Sequence, residues 1–190
     1  MNIDELLSRY AAGERDFGAI NLQRANLTGL VLNGVNLSGA NLSQAQLRGA
    51  DLSEANLSKA NLSYANLSGS ELSKINLSGA ILSYAQLPQT NLQEADLSNA
   101  NLSHTNLNSS NLKKTNLNAA NLSNANLTNT DLRESNLNGA KLPTQLSGAN
   151  LEEVNLNEAH MNKANLSNAK LLKTILYRAT LSEANLTRAQ

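Results

Sequence analysis

Few side chains in this sequence have the type and spacing that enzyme chemistry requires. There is no Cys, and the two histidines, His104 and His160, are isolated from one another. A metal site needs several convergent ligands, and the Ser residues have no base beside them. No Gly-rich phosphate-binding loop precedes a helix. We therefore predict no catalytic residue, no metal site, no cofactor and no enzyme activity.

The main pattern in the sequence is a Leu at every fifth residue. It runs from Leu22 to Leu142 and resumes after a four-residue step at 142–146. An α-helix or a continuous strand would scatter these side chains over several faces. All can face one core only if the backbone turns a corner in every repeat. Gly or Asn commonly follows two residues later, where a type II turn needs positive φ, and Pro88 and Pro143 suit the preceding turn position.

Four corners would close a coil of twenty residues. With Phe17 as the first centre there are 35 repeats, which gives nearly nine coils. At ~4.8 Å per coil the rod would be roughly 40 Å long. Fifteen Ser residues come directly after a centre, where we expect hydroxyl-to-backbone hydrogen bonds.

The segment before the repeats has the pattern of a short amphipathic helix. Residues 3–12 place their apolar side chains on one helical face, Asn2 or Asp4 can cap the start, and Gly13 can end it. A solenoid needs its ends covered. We therefore predict a capping helix and turn over 1–14, followed by an all-β solenoid over 15–190.

The tandem motif Ala-Asn-Leu-Ser-x resembles the pentapeptide-repeat family over residues 15–190. The segment from Tyr10 to Phe17 is similar to the start of many cyanobacterial members. The resemblance implies a right-handed quadrilateral β-helix, whereas the period alone indicates corners without a hand. It implies little about activity, because members include gyrase-protecting DNA mimics as well as developmental regulators, and they share no catalytic motif.

Residues twenty apart should stack, so the outward side chains should form columns. One column is predicted to bring together Tyr64, Tyr84 and His104, with Ile81 pointing outward beside them. Stacked rings serve either to stabilise neighbouring coils or to anchor a partner. These four residues are our candidate contact site for a protein partner.

A second column has charges of alternating sign. Its members are Glu54, Lys74, Glu94, Lys114 and Glu134. Neighbours of opposite charge attract, although exposed ion pairs contribute little individually. We interpret the alternation as support for the register of the coils.

Two features of the second half of the repeat region are further candidates. Leu172, Ile175 and Tyr177 should point outward in the last coils, and we predict that they form the end at which two copies make a homodimer. The missing residue at 142–146 is either an ordinary deletion or a break in the surface lattice that admits a partner.

Composition limits the class of partner. Fifteen acidic and fifteen basic residues give no net charge, so nothing supports attraction to nucleic acid or an anionic membrane. The N-terminus lacks signal-peptide features, and the recurrent Asn-Leu-Ser and Asn-Leu-Thr triplets would be glycosylated in a eukaryotic secretory pathway. We therefore predict a cytoplasmic protein.

The predicted function is a non-enzymatic interaction module that presents a surface to a regulatory protein, with a role in cyanobacterial regulation or development implied by the resemblance. The alternative is a DNA mimic that binds DNA gyrase, which needs a surface dense in carboxylates and is disfavoured by the zero net charge. A lattice binder of glycan or ice is a third interpretation, for which regular ranks of Thr are missing.

Overall fold

The computed structural model describes residues 2–143 and 145–190, and it begins with one short helix. This helix, α1, runs over Ile3–Ala11, one residue less than the predicted 3–12. Asn2 is its N-cap, and the Asn2 side chain accepts a hydrogen bond from the N–H of Glu5 at 2.8 Å. Gly13 follows the helix with φ +97°, a conformation that favours glycine. Within residues 2–143 and 145–190 there is no helix with the length and hydrophobicity of a membrane span.

The rest of the described chain is a β-solenoid built from single bridge residues. Each coil forms parallel bridges to the next at a spacing of twenty residues, as in the series Asn36, Asn56 and Asn76. Residues 2–143 and 145–190 contain no strand longer than one bridge residue. Corners are therefore too frequent for extended strands, as the five-residue period predicts.

A β-turn forms the corner of each repeat that the structure describes in full. The carbonyl of the central Leu accepts a hydrogen bond from the N–H three residues later, for example Leu62 from Ala65 at 3.0 Å. The residue two places after the Leu has positive φ at every turn in the described residues. Many of these residues are neither Gly nor Asn, as Tyr64 (φ 59°) and Glu54 (φ 58°) show. A positive φ costs an L-residue roughly 1–2 kcal/mol, so hydrogen bonds between coils must hold these turns in place.

The core is a stack of leucines lined by small side chains. Central residues such as Leu92 and Leu112 are fully buried, and the Ala positions two residues earlier face the same interior. Some of those positions carry hydroxyls that donate to Leu carbonyls, either in the preceding coil, as Thr90 Oγ1 does to Leu67 at 3.0 Å, or three residues earlier in the same coil, as Thr105 Oγ1 does to Leu102 at 2.6 Å. Among the described residues no buried side-chain N or O atom lacks a hydrogen-bond partner. The interior is therefore both tightly filled and hydrogen-bonded.

The Asn before each centre has a structural role that the sequence interpretation missed. Asn41 Oδ1 accepts hydrogen bonds from the N–H of Ser43 at 3.1 Å and from the Ser43 hydroxyl at 2.8 Å. Between coils, Asn56 Nδ2 donates to Asn36 Oδ1 at 3.2 Å. The expectation that these Ser hydroxyls bond mainly to the backbone is wrong in such repeats, because the Asn side chain offers a nearer acceptor.

The four-residue step shortens one coil by a residue without interrupting the stacking. Asn121 pairs with Lys141 at the usual spacing, whereas Lys141 pairs with His160, one residue short of it. Pro143 is buried there, and the predicted deletion over 142–146 includes Thr144, which lies outside the described residues. A Cβ added to Gly148 would clash with the side-chain oxygen of Asn129 in the preceding coil, so the Asn129 side chain occupies the space beside this glycine.

Candidate interaction site

The aromatic residues predicted to meet form a continuous stack. The ring centroids of Tyr64 and Tyr84 are 4.9 Å apart with planes 3° from parallel, and those of Tyr84 and His104 are 4.6 Å apart with planes 5° from parallel. The three residues have φ values of 59°, 62° and 60°. Equal backbone conformations in successive coils therefore hold the rings in parallel.

Backbone hydrogen bonds fix the corners that carry these rings. The N–H of Tyr64 donates to the Ser83 carbonyl at 3.0 Å, and the N–H of Tyr84 donates to the Ser103 carbonyl at the same distance. The rings thus sit on a backbone that is hydrogen-bonded one coil further along. Aromatic pairs contribute about 0.5–1.5 kcal/mol beyond the area that they bury.

The stack stays open to solvent although its members contact each other. Tyr64 is 58% exposed and Tyr84 is 44% exposed. Within the part of the chain that the structure describes, neither Tyr hydroxyl has a hydrogen-bond partner. His104 Nε2 lies 3.4 Å from Asn124 Nδ2, so an amide borders the stack on that side. The ring edges and the two hydroxyl groups are therefore exposed to solvent.

Ile81 extends this surface with an aliphatic side chain. It bridges Asn61 and Asn101 in a column that is otherwise mostly Asn, and it is 43% exposed. Because it stands three residues before Tyr84, it belongs to the same repeat. We call Tyr64, Ile81, Tyr84 and His104 the aromatic patch.

The alternating-charge column forms ion pairs, although the distances between the charged atoms are long. Lys74 Nζ lies 4.0 Å from Glu54, and Lys114 Nζ lies 3.7 Å from Glu134. Glu134 also pairs with Lys113 at 3.1 Å, a pairing across two columns that the column-by-column interpretation missed. The hydrogen bond from Lys113 lowers the pKa of the Glu134 carboxyl.

Another unpredicted ion pair links two residues of a single repeat on the same side of the solenoid. Arg133 Nε donates to Asp131 Oδ1 at 2.9 Å, and the hydrogen bond from Arg133 lowers the pKa of the Asp131 carboxyl. Asp131 occupies the position that Asn fills in most repeats, and its Oδ1 also accepts from the Arg133 N–H at 3.2 Å. The spacing of two residues from Asp to Arg is the sequence signal that could have revealed the pair.

We predict that Asp131→Asn weakens folding at neutral pH and not in acid. Asn keeps the turn hydrogen bond and loses the charge pair, so the free energy of unfolding should fall by less than about 1 kcal/mol, as for other exposed pairs. A carboxyl whose pKa is lowered by folding stabilises the fold above its unfolded pKa of ~3.9, and that contribution is lost as pH falls through the folded value. Urea unfolding at neutral pH and near pH 2 should therefore show a difference that vanishes in acid. An equal deficit at both pH values would contradict this prediction.

The predicted end surface is apolar and exposed. Leu172 and Tyr177 are each 63% exposed, and Ile175 is 54% exposed. Two of the three basic residues beside them are paired: Lys173 Nζ donates to Glu153 at 2.9 Å, and Arg178 lies 3.8 Å from Glu158. Lys170 is exposed and forms no ion pair with the described residues, so the surface keeps one unpaired positive charge. We call Leu172, Ile175 and Tyr177 the end patch.

The two histidines lie in different columns. His104 belongs to the aromatic stack, whereas His160 bridges Lys141 and Thr180. In residues 2–143 and 145–190 no three His, Cys, Asp or Glu side chains are grouped so that they could hold a metal ion.

A family model described as pentapeptide repeats matches the chain in several overlapping copies. The matched segments are 20–58, 40–79, 60–99, 70–108, 110–143, 144–182 and 161–190. Together they cover most of the solenoid. No curated protein sequence is significantly similar to this chain.

Two solved structures are similar to the chain over nearly its whole length. HetL, a pentapeptide repeat protein involved in heterocyst differentiation regulation from the cyanobacterium Nostoc sp. strain PCC 7120, is 36% identical. The match covers 100% of this chain and 94% of HetL, with a TM-score of 0.63. QnrB1, a plasmid-mediated fluoroquinolone resistance protein, is 21% identical over 90% of this chain and 88% of its own, with a TM-score of 0.54. The second likeness concerns the fold alone.

Proposed function

Because this chain belongs to the pentapeptide-repeat family, we propose that it is a non-enzymatic module that presents the aromatic patch to a protein partner. Family membership implies a right-handed quadrilateral β-helix, a scaffold on which side chains are held at fixed spacing. The observation that carries the proposal is the exposed stack of Tyr64, Tyr84 and His104 beside Ile81. Exposed aromatic residues on a rigid surface are favoured anchors for protein partners.

The likeness to HetL supports a regulatory role for the partner. HetL is described as involved in the regulation of heterocyst differentiation, and this chain is 36% identical to it over its full length. We extend that role to this chain as a cytoplasmic module in cyanobacterial regulation or development. The recurrent glycosylation acceptors noted above favour the cytoplasm over a eukaryotic secretory route.

Replacing both Tyr64 and Tyr84 by Ser should abolish capture of the partner while the fold is retained. Ser109 has φ 57° at the equivalent turn position, so Ser fits this backbone. Losing two central aromatic anchors should weaken binding at least about tenfold. The measurement is a pull-down from native extract with quantitative mass spectrometry, in which one protein is captured by the wild type and lost by the double variant.

The matched control is Tyr177→Ser, which removes an aromatic ring of similar exposure from the end patch. This variant should capture the same protein as the wild type. If the double variant also retains that protein, the aromatic patch is not the contact site.

The DNA-mimic alternative concerns another side of the solenoid, which we call the charged face. It comprises three columns of residues that stack from coil to coil. The bridge column holds the bridge residues from Val31 to Lys170, the adjoining column holds the residues two places later from Asn33 to Leu172, and the turn column holds the positive-φ residues from Gly34 to Lys173. Its carboxylates are Asp51, Glu54, Glu71, Glu94, Asp131, Glu134, Glu152 and Glu153. Its cations are Lys74, Lys113, Lys114, Arg133, Lys170 and Lys173.

Interleaved cations neutralise most of the field that a phosphate mimic needs. The charged face therefore favours the interaction module over the mimic. A DNA-gyrase supercoiling assay with and without the protein distinguishes the two, and no effect on supercoiling is expected.

We further propose that the end patch joins two copies of the chain. Its exposed Leu172, Ile175 and Tyr177 are apolar, and two of the three neighbouring cations are paired within the chain, so a mainly apolar surface of low net charge fits a second copy of itself. Light scattering over a broad concentration series should show a dimer that Ile175→Ser/Tyr177→Ser weakens, whereas Tyr64→Ser/Tyr84→Ser leaves it unchanged. A wild type that stays monomeric throughout would remove this proposal.

A further inference from the structure

The aromatic patch lies within a larger surface that is nearly free of carboxylates. This aromatic face comprises the bridge column from Asn21 to Thr180, the adjoining column from Gln23 to Ser182 and the turn column from Arg24 to Glu183. Glu183 is the one carboxylate in these columns. It lies in the last coil, 3.9 Å from Lys163. The negative charge of the solenoid is therefore concentrated elsewhere, above all on the charged face.

Cations border the aromatic patch on the same face. Arg24 stands two coils before Tyr64 in the turn column, and Lys141 stands three coils after Ile81 in the bridge column. Arg24 Nε donates to Gln44 Oε1 at 3.0 Å, a neutral partner that leaves the charge of the guanidinium uncompensated. Lys141 is exposed. The face thus has positive charge on both sides of its apolar centre.

The stacked rings themselves favour a partner with negative charge. Each ring face in the middle of the stack is covered by its neighbour, so the ring edges, which are electropositive, meet the solvent. The hydroxyls of Tyr64 and Tyr84 have no partner among the described residues and can donate to acceptors brought by a ligand. Ring edges, hydroxyl groups and flanking cations all suit carboxylates and carbonyl oxygens.

We propose that the aromatic face binds an extended acidic segment of a partner protein, which runs along the columns from Arg24 to Lys141. Six coil steps at ~4.8 Å separate these cations, which corresponds to about nine residues of extended chain. Apolar side chains of the segment pack on Ile81 and the Tyr rings, and its carboxylates meet the cations on either side. This inference rests on the proposed function and specifies the chemistry of the partner.

A labelled synthetic peptide of alternating Asp and Leu, about ten residues long, tests the proposal by fluorescence anisotropy on the full chain. A Lys-Leu peptide and an oligothymidylate of matching length are the comparison probes. We expect the acidic peptide to bind at least about tenfold more tightly than either, and to weaken as salt is raised. No binding of the acidic peptide, or stronger binding of the oligothymidylate, overturns the proposal.

A second test reverses single charges on the aromatic face and on the charged face. Lys141→Glu should weaken the acidic peptide about fivefold or more, whereas Lys170→Glu, the same change at an exposed bridge residue of the charged face, should leave its affinity unchanged. Tyr64→Ser/Tyr84→Ser should weaken it about tenfold. Equal losses for Lys141→Glu and Lys170→Glu would mean that total charge attracts the peptide, and would overturn the inference.

The native partner separates this inference from the proposed function. If capture from extract depends on Tyr64 and Tyr84 but is unaffected by Lys141→Glu and by salt, the acidic-segment inference fails and the interaction module stands. If capture is indifferent to all of these changes, the proposed site itself fails.

Discussion

Replacing Leu92 by Ala is expected to lower the free energy of unfolding by about 2–5 kcal/mol, the range for truncating a buried aliphatic side chain so that a cavity is left. Leu92 is fully buried, as are Leu72 and Leu112 in the coils on either side. The rigid turns on both sides of each centre leave little freedom for the neighbours to collapse into the gap. The upper part of the range is therefore expected.

Val31→Ala is the control for that substitution. It also shortens an aliphatic side chain, but at an outward position that is 60% exposed and belongs to neither patch, so the free energy of unfolding should change by less than about 0.5 kcal/mol. Chemical unfolding followed by circular dichroism measures both variants. Equal effects of the two changes would mean that the inward and outward positions of the repeat are wrongly assigned.

The solenoid follows from the sequence because one physical requirement determines it. Leucines five apart can share an interior only when every repeat turns, and the structure has positive φ at every described residue that stands two places after a centre. The positions of Leu62 in the core and Tyr64 outside it were therefore predictable. The same reasoning located the stack of Tyr64 and Tyr84, because twenty residues return the chain to the same column.

The polar details could not be predicted in the same way. The five-residue period predicts that Asn41 points outward. It does not predict that the Asn41 side chain accepts hydrogen bonds from Ser43, or that Asn56 donates to Asn36 in the coil before it. Those bonds depend on side-chain rotamers and on which of several nearby acceptors is closest. Likewise, the pairing of Glu134 with Lys113 crosses two columns, and a column-by-column analysis considers one column at a time.

The inward and outward positions of this fold carry different kinds of information. Inward residues are nearly invariant along the chain, since Leu and a small side chain are what the interior accommodates. Outward turn residues share one backbone conformation whatever their type: Lys74 and Tyr84 have φ values of 57° and 62°. A change of outward residue therefore alters the surface with little effect on the scaffold, which is why binding chemistry is sought in the columns and stability in the core.

The second large effect is expected from Leu6→Asp in α1. Leu6 is fully buried within the same apolar cluster as Phe17 and Leu22, and Tyr10 Oη donates to the Asn33 carbonyl at 2.9 Å. An unpaired charge at a buried position costs about 3–5 kcal/mol. The few other contacts of a nine-residue helix cannot offset that loss. We expect α1 to detach and to leave the first coil uncovered.

Because each coil contacts chiefly its neighbours, the damage should be confined to the first coils. Hydrogen exchange tests this directly: the amide of Phe17, which donates to the Asn36 carbonyl at 2.8 Å, should lose protection, while the amide of Leu102, which donates to Asn121 at the same distance, should keep it. Ser8→Asp adds the same charge on the exposed side of α1 and should leave both amides protected. Equal behaviour of the two variants would mean that α1 does not cover the solenoid end, whereas loss of protection at Leu102 would mean that the coils unfold as a single unit.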